Sequence, residues 1–350
     1  MKRRNFFEAS MAATAGISLA GCSIFRPTHT IQRKVTDFSL EVTKKKPSGS
    51  MPMTDLGKTG IRISKFSFGS HMSQDLLKYE KERERMIREA FDLGITTFDI
   101  YEKNWDIFQY EPMGRYLKPI INDVVLSIFN IPFDGRSFEK EFERAQRLLG
   151  RECIDMVRTN AFSPEDDRWS YWEILFRLKE KGYIRAVGIP IHVKGNTEKV
   201  LELYKTYPMD FVIFPYNFYH NIIYSGERGV NWDPLIPELR KRGIGIVVMK
   251  PLASDHLVKG FINLAKKVDP EVSWPTAAHK YVINTLNPDT VLNGMYTLDH
   301  VYENAATYYH PEMTLEEKQL LDLMKRYNIK TIAQTLLPKH YAFLNEWVGA

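Results

Sequence analysis

The stretch Ala90-Phe91-Asp92-Leu93-Gly94-Ile95-Thr96-Thr97-Phe98-Asp99 places the end of an amphipathic helix directly before a short apolar strand that ends in a carboxylate. Leu93-Gly94 is typical of a helix stop, because glycine readily takes the left-handed conformation that turns the chain away. The β-branched and aromatic residues that follow predict a strand over Thr96–Asp99. A helix that leads straight into a strand is the unit from which parallel α/β sheets are built.

The same alternation continues on both sides of this stretch, from Met53 onward. We predict eight strands, at Lys65–Phe68, Thr96–Asp99, Val124–Ile128, Ile154–Arg158, Ala186–Ile189, Phe211–Phe214, Ile244–Met249 and Thr290–Leu292. We predict helices at Lys81–Leu93, Ser137–Leu149, Ser170–Lys181, Thr197–Tyr204, Pro234–Arg242, Pro275–Ile283 and Leu298–Thr307, and an extra C-terminal helix at Leu315–Tyr327. Eight such repeats predict an α/β fold, a (β/α)8 TIM barrel. An open doubly wound sheet is the alternative, but Phe68-Gly69-Ser70-His71 is not its glycine-rich fingerprint.

Length and charge limit the class of protein. The chain has 350 residues, of which 44% are hydrophobic, so it can build one large core. Part of the formal net charge of +5 lies in Lys2-Arg3-Arg4 and in Lys44-Lys45-Lys46. Neither run has interleaved aromatic residues, which favours solvated segments over a nucleic-acid surface. We therefore predict no nucleic-acid partner.

Residues 1–22 have the order of an export signal. Lys2-Arg3-Arg4-Asn5-Phe6-Phe7 resembles the twin-arginine motif, and the apolar run that follows is too short to span a bilayer permanently. Leu19-Ala20-Gly21-Cys22 resembles a bacterial lipoprotein processing box. We expect lipidation at Cys22 and an exported lipoprotein, anchored to the membrane on its periplasmic or outer face. The alternative is a frayed N-terminal helix in a cytosolic protein.

The export signal also determines how we divide the rest of the chain and interpret its cysteines. Residues 23–50 hold prolines, a glycine and the lysine run without a sustained period, and we predict a flexible linker there. Residues 51–350 would form the barrel domain. With Cys22 lipidated, Cys153 has no partner within the chain, so no disulfide is expected. Two cysteines also cannot hold an iron–sulfur cluster, and no spacing typical of metal ligands is present, so we predict neither cluster nor metal.

Several segments resemble the aldo/keto reductases in order and spacing. They are Leu56–Ser64 for an N-terminal β-hairpin, Ala90–Asp99 for the strand with the catalytic aspartate, Lys181–Ile189 for the fifth-strand signature, and Gly294 with Glu303-Asn304 for the region of the cofactor's phosphate and adenine. The resemblance covers about Met53 to Pro311. It implies a TIM barrel with an N-terminal hairpin and NADP(H)-linked redox chemistry between carbonyls and alcohols.

The resemblance also implies a proton relay, which this chain has mostly lost. In the family, a tyrosine donates the proton, a lysine paired with an aspartate tunes it, and a histidine orients the carbonyl. Without gaps, these positions correspond to Asn104, Phe129, Asp99 and Asn160 respectively. Asn104 cannot donate a proton, although Asn160 can still orient a carbonyl through its amide. Asp99 without its lysine would take up a proton or find another partner, such as Lys103.

The cofactor positions are changed in part. The resemblance retains a set of candidate phosphate-side and adenine-side residues, which are Lys250, Gly294, Thr297, Glu303 and Asn304. On the nicotinamide side, polar or aromatic residues of the family correspond to Pro190-Ile191, Ile213 and Met249. Each lost buried polar contact is worth on the order of 1 kcal/mol, so a weakened nicotinamide site is expected.

Aromatic and imidazole side chains follow the strands at the expected mouth of the barrel. Tyr101 is an alternative proton donor or a rim aromatic, and Trp105, His192 and Tyr216 are candidates for a small-molecule pocket or for packing over the barrel end.

Two functions remain open at this point. The first is an aldo/keto reductase-like oxidoreductase whose tetrad Tyr, Lys and His are replaced. The alternative is a pseudoenzyme, a non-catalytic, membrane-tethered ligand-binding or assembly barrel.

Overall fold

The computed structural model describes residues 41–70, 79–102, 108–132, 135–160, 165–191, 201–218, 235–252 and 255–324. The strands in these residues are β1 Met53–Asp55, β2 Arg62–Ser64, β3 Phe66–Gly69, β4 Thr97–Tyr101, β5 Val125–Phe129, β6 Ile154–Arg158, β7 Ile184–Pro190, β8 Phe211–Pro215, β9 Gly245–Met249 and β10 Thr290–Gly294. The helices are α1 Glu80–Asp92, α2 Tyr110–Leu117, α3 Phe138–Leu149, α4 Ser170–Glu180, α5 Leu235–Arg242, α6 Asp255–Val268, α7 Trp274–Leu286, α8 Leu298–Tyr309 and α9 Leu315–Met324.

Strands β3 to β10 form a closed parallel barrel. Each pairs with its neighbours in chain order, and β10 closes the ring by pairing with β3. This confirms the predicted (β/α)8 fold, with β1 and β2 as the N-terminal hairpin and α9 as the extra helix. Every barrel strand lies within two residues of its predicted bounds.

Two helices were missing from the sequence prediction. Helix α2 contains Pro112 and Gly114, the two residue types with the weakest helix propensity. Pro112 is tolerated because it lies in the first turn, where its missing N–H has no partner to bind. Gly114 allows a close approach to α3, since a Cβ there would collide with the carbonyl oxygen of Leu148. Helix α6 is an addition after β9, which a rule of one helix per strand does not anticipate.

The hairpin closes the amino-terminal end of the barrel. Leu56, Ile61 and Ile63 are at most 1% exposed and pack against residues that point into the barrel. Asp289, just before β10, accepts hydrogen bonds from Gly57 N at 2.9 Å and from Ile246 N at 3.0 Å. The carboxylate therefore joins the hairpin to two strands, which leaves the opposite, carboxyl-terminal end of the barrel as the mouth.

Helix α9 is fixed to the outside of the barrel by a buried ion pair. Lys280 Nζ of α7 donates to Glu317 Oε1 of α9 at 2.8 Å. The other oxygen, Glu317 Oε2, accepts from Thr314 N at the start of α9. None of the helices in the described ranges is long and apolar enough to cross a membrane.

A polar chain through His279 crosses the core between β10, α7 and α8. The amide of Asn293 donates to His279 Nε2 at 3.2 Å, so the remaining proton on Nδ1 donates to the Tyr308 hydroxyl at 3.1 Å. His279 is fully buried, and burial lowers its pKa to about 3. The imidazole is therefore neutral in the folded protein over the whole physiological range.

We expect the barrel to lose stability on acidification because of His279. In the unfolded chain this histidine takes up a proton as the pH falls below about 6.5, whereas in the folded chain it does so only near 3. Above pH 6.5, His279 causes no loss in the free energy of unfolding. Below that pH, the free energy of unfolding declines by about 1.4 kcal/mol per pH unit because of this residue. Urea unfolding of His279→Gln at pH 7, 6 and 5 should show a shallower decline than the wild type. His310→Gln, at an exposed position, is the matched control, and an unchanged slope in His279→Gln would contradict the assignment.

Candidate functional site

Asp99 lies in the barrel interior near the mouth. It is the third residue of β4, with Phe98 and Ile100 on either side packed in the outer core, so its carboxylate points inward. The residue is 5% exposed. Ser127 pairs with it across β4 and β5, and its hydroxyl donates to Asp99 Oδ1 at 2.7 Å.

The partner of Asp99 is Arg158, at the end of β6. Its guanidinium donates from Nη1 to Asp99 Oδ1 at 2.5 Å and from Nη2 to Oδ2 at 3.0 Å. Nη1 also donates to Ser127 Oγ at 3.0 Å. Of the two alternatives that the sequence left for Asp99, a proton or another partner, the structure shows another partner, because Arg158 binds both carboxylate oxygens. Lys103 itself lies outside the described residues.

Phe129, at the lysine position, supports the new cation. The guanidinium of Arg158 lies over its ring, 5.7 Å from the centroid, and β5 and β6 bring the two residues into register. Tyr101 stacks on the same ring at 5.3 Å with an interplanar angle of 24°. An aromatic face next to a buried guanidinium is favourable. Where the resemblance places a lysine on β5, the structure thus has an aromatic side chain, and the cation that pairs with Asp99 comes from β6.

The cluster of Asp99, Ser127 and Arg158 is better suited to binding and orienting a ligand than to transferring a proton. A guanidinium does not release a proton at neutral pH, so Arg158 cannot replace a tyrosine as the acid. The bidentate bonds to Asp99 also fix the planar fork in one orientation. Tyr101 is half-buried and carries a titratable hydroxyl on the ring that stacks on Phe129, and the Tyr110 hydroxyl donates to the Phe129 carbonyl at 3.0 Å.

Glu102 ties the chain that leaves β4 to helix α2. Its Oε2 accepts hydrogen bonds from Gln109 N and Tyr110 N, both at 2.8 Å, and so caps the first turn of α2. Its Oε1 pairs with Arg144 of α3, whose guanidinium lies over the Tyr110 ring. Asn104 and Trp105 belong to the short connection between Glu102 and Gln109 and lie outside the described residues, as do His192 and Cys22.

The predicted phosphate-side residues meet on β9, β10 and α8, but most of their polar atoms have internal partners. Thr297 caps α8 by accepting from His300 N at 3.3 Å. Glu303 pairs with Ser273 and accepts from Thr276 Oγ1 at 3.3 Å. Asn304, largely buried, donates to the carbonyl of His300 at 2.9 Å. Burial lowers the pKa of His300, so it carries no charge for a phosphate at neutral pH.

Of the two further phosphate-side positions, one has an unusual backbone. Gly294 ends β10. Lys250 follows β9 with φ of 55°, a left-handed conformation that strains a residue with a side chain. Asn217 donates to the Lys250 carbonyl at 3.2 Å and helps to hold it there.

The positions that the resemblance assigns to the nicotinamide side are apolar where the structure describes them. Ile191 and Ile213 are at most 2% exposed and pack in the core. Tyr216, predicted to line a pocket, is 3% exposed and stacks against Tyr281. Among the described residues, the candidate nicotinamide positions are therefore apolar, and most polar atoms of the phosphate-side candidates have internal partners. Asn160, by contrast, lies half-buried beyond the end of β6, where it can face a ligand.

Sequence reasoning missed the two charged residues that organise this end of the barrel, Arg158 and Glu102. A signal for Arg158 was present, because it lies two residues after Met156 and so on the same face of β6. The sequence did not indicate that Asp99 on β4 is the partner of Arg158, because that pairing depends on the order of strands around the barrel. In the described part of the chain, no group of three or more His, Cys, Asp or Glu residues is placed to hold a metal ion.

Comparisons with known proteins agree with this architecture. The sequence model of the Aldo/keto reductase family matches residues 67–274. L-glyceraldehyde 3-phosphate reductase of Escherichia coli is 22% identical over 231 residues, which cover 61% of this chain and 65% of that enzyme. L-galactose dehydrogenase of Arabidopsis thaliana is 24% identical over 284 residues, or 72% of this chain and 86% of that enzyme. The chain thus spans less than two thirds of the bacterial relative.

A solved structure shows the same fold. The holo form of aldo-keto reductase AKR11C1 from Bacillus halodurans superposes with a TM-score of 0.61 at 18% identity, over 78% of this chain and 96% of that one.

We expect the Asp99–Arg158 pair to be strongly coupled. Arg158→Met should cost about 3–5 kcal/mol of unfolding free energy, because it leaves a buried carboxylate without its cation. The double variant Asp99→Asn with Arg158→Met should cost less than Arg158→Met alone. Urea unfolding of both single variants and the double variant gives the coupling energy.

The matched control for this cycle is Arg177→Met. Arg177 pairs with Glu139 on the surface, where both side chains are at least 40% exposed, and its loss should cost under about 1 kcal/mol. Additive losses at Asp99 and Arg158 would contradict the coupling.

Proposed function

Because the chain belongs to the aldo/keto reductase family, we propose that its barrel mouth binds a small polar ligand but does not reduce it by the family's usual proton relay. The observation that supports this is the bidentate pair between Asp99 and Arg158, both of whose side chains are at most 7% exposed. It occupies the aspartate that the relay would use and supplies a cation that cannot act as an acid. Ser127, Asn160 and the Tyr101–Phe129 ring stack complete a polar and aromatic mouth.

The second candidate is an NADP(H)-linked oxidoreductase acting on carbonyls or alcohols. The family match and the names of the relatives, a reductase and a dehydrogenase, favour it. In this case Tyr101 is the proton donor, since it lies two residues beyond Asp99 on the same face of β4. The retained candidates Lys250, Gly294 and Asn304 would then hold the nucleotide.

A cofactor titration and a turnover assay separate the two candidates. We expect no quenching of protein fluorescence by NADPH up to about 1 mM, in the range where weak sites still fill. We also expect no turnover of a panel of small aldehydes by the wild type. NADPH-dependent turnover in the wild type that Tyr101→Phe abolishes would overturn the binding proposal and establish the second candidate.

Restoring the family's relay should need three substitutions. The pair Asn104→Tyr and Phe129→Lys should remain inactive, because the new ammonium would lie beside Arg158 and compete for Asp99. Adding Arg158→Met frees Asp99 for the lysine. If the titration shows that NADPH binds without wild-type turnover, aldehyde reduction should appear only in that triple variant. Steady-state assays with NADPH measure this. Activity in the double variant would show that Arg158 does not block the relay.

We further propose that the protein is exported and anchored by lipid at Cys22. The support is the order of Lys2-Arg3-Arg4, an apolar run and Leu19-Ala20-Gly21-Cys22. Several acyl chains on one N-terminus suffice for stable anchoring.

Cys22→Ala should move the protein from the membrane to the soluble fraction, measured by fractionation and immunoblotting. Cys153→Ala is the matched control and should stay at the membrane. Unchanged membrane association of Cys22→Ala would contradict the lipid anchor.

A further inference from the structure

The guanidinium of Arg158 can donate two bidentate sets of hydrogen bonds, and Asp99 uses one of them. The N–H groups of a guanidinium lie in one plane. Nη1 and Nη2 form a fork at the tip, here called the end fork, and Nε with the second N–H of Nη2 forms a fork along one side, here called the side fork. The two oxygens of Asp99 occupy the end fork at 2.5 and 3.0 Å. The other N–H of Nη1 donates to Ser127 Oγ at 3.0 Å, which leaves the side fork.

The side fork has no acceptor among the described residues. The hydrogen bonds of Arg158 there come from Nη1 and Nη2, and none comes from Nε. Nε of Arg158 also differs from Nε of Arg83, which is fully enclosed without a partner. It therefore borders space that a small molecule can reach, although the side chain is only 5% exposed. Because a largely buried donor without an acceptor is unfavourable, an acceptor at this position stabilises the arrangement.

The side fork faces the barrel axis. Ser127 on β5 binds the opposite side of the guanidinium, so the side fork points away from β5. Strand β10 lies directly across the ring of eight strands from β6. Its last residue, Gly294, pairs with Gly69, which in turn pairs with Asp99. In the described part of the chain, a Cβ at Gly294 would meet no atom closer than Gly69 O, at 4.0 Å, apart from its chain neighbours. The barrel therefore has room opposite the side fork.

The side fork and its surroundings select the chemistry of a ligand. Two parallel N–H groups in one plane match two coplanar oxygens, which is the geometry of a carboxylate. Asp99 already balances the charge of Arg158, so a ligand with one negative charge costs less to bury here than a doubly charged phosphate. Ile213 on β8 and Met249 on β9 point inward and are apolar, which suits a short apolar chain.

We propose that the side fork of Arg158 binds the carboxylate of a small monocarboxylate, whose short apolar chain lies in the space beside Gly294. This class of ligand rests on the binding function proposed for the mouth. Binding requires no covalent step and no proton transfer, because the guanidinium keeps all its protons. Arg158 therefore has two roles, since its end fork pairs with Asp99 and its side fork recognises the ligand.

Calorimetry on the full chain with butyrate and butyramide tests the class of ligand. The two molecules have nearly the same shape, but only butyrate presents two equivalent acceptor oxygens. Butyrate should bind with a Kd of roughly 1–50 mM, as expected for so small a ligand, and butyramide at least about tenfold more weakly. Absence of butyrate binding up to about 200 mM would overturn the proposal, as would equal binding of butyramide.

Arg158→Lys tests the side fork itself. Lysine keeps a positive charge beside Asp99 but has no planar fork, so butyrate should bind at least about tenfold more weakly. Arg177→Lys makes the same change at the exposed pair with Glu139 and should bind butyrate as the wild type does. Wild-type affinity in a folded Arg158→Lys would contradict the assignment.

Gly294→Val keeps the test informative if Arg158→Lys does not fold. It fills the space opposite the side fork and leaves the Asp99–Arg158 pair unchanged, because a Cβ has room there. The affinity for butyrate should fall by at least about tenfold, since the apolar chain loses its place. Unchanged affinity in this variant, with its fold checked by circular dichroism, would equally overturn the proposal.

These results are distinct from the test of the function proposed for the mouth. Binding of butyramide in place of butyrate would overturn the carboxylate and leave ligand binding at the mouth standing. NADPH-dependent turnover, which is measured separately, would overturn the binding function itself.

Discussion

The buried ion pair between Asp99 and Arg158 constrains the chemistry of the barrel mouth. Two opposite charges removed from water stabilise the fold only if their geometry is good and their remaining polar atoms have partners. Here the bonds are bidentate, Ser127 binds both partners, and the guanidinium lies on the Phe129 ring. The pair forms without an external ligand. It is therefore a structural core of the mouth, and Asn160 and Tyr101 are the nearby residues that we propose face a small molecule.

In the function proposed for the mouth, the same charge takes the place of the family's proton relay. A lysine on β5 would tune a nearby hydroxyl because its ammonium is a compact charge close to the acid. The guanidinium of Arg158 instead donates to both oxygens of Asp99 and to Ser127. In that proposal the positive charge of the relay is kept, but its position and its available hydrogen bonds differ.

The amino-terminal segments act on the barrel from outside. The hairpin closes the amino-terminal end of the barrel, where Gly57 binds Asp289. Residues 43–51 lie along α1 and α8, held by the bond of Lys44 N to Asp299 and by the buried side chain of Met51. Both use a carboxylate to bind backbone N–H groups that would otherwise face solvent, which is an effective charge-assisted contact. A chain that resembles a tether in composition is in part an element of the barrel surface.

The sequence by itself determined the eight strands, their order along the chain and the barrel, because inward and outward positions alternate with a period that local residues alone create. Its resemblance to the family also led us to expect Asn104, Phe129 and Asn160 at the positions of a relay. It did not determine the partner of Asp99, the contacts of Glu102 with α2 and Arg144, or the binding of Thr43 and Lys44 to Asp299. Those contacts join residues 59, 42 and 256 positions apart in the chain. Only the closure of the barrel brings them together, so only the tertiary structure decided what the mouth can do.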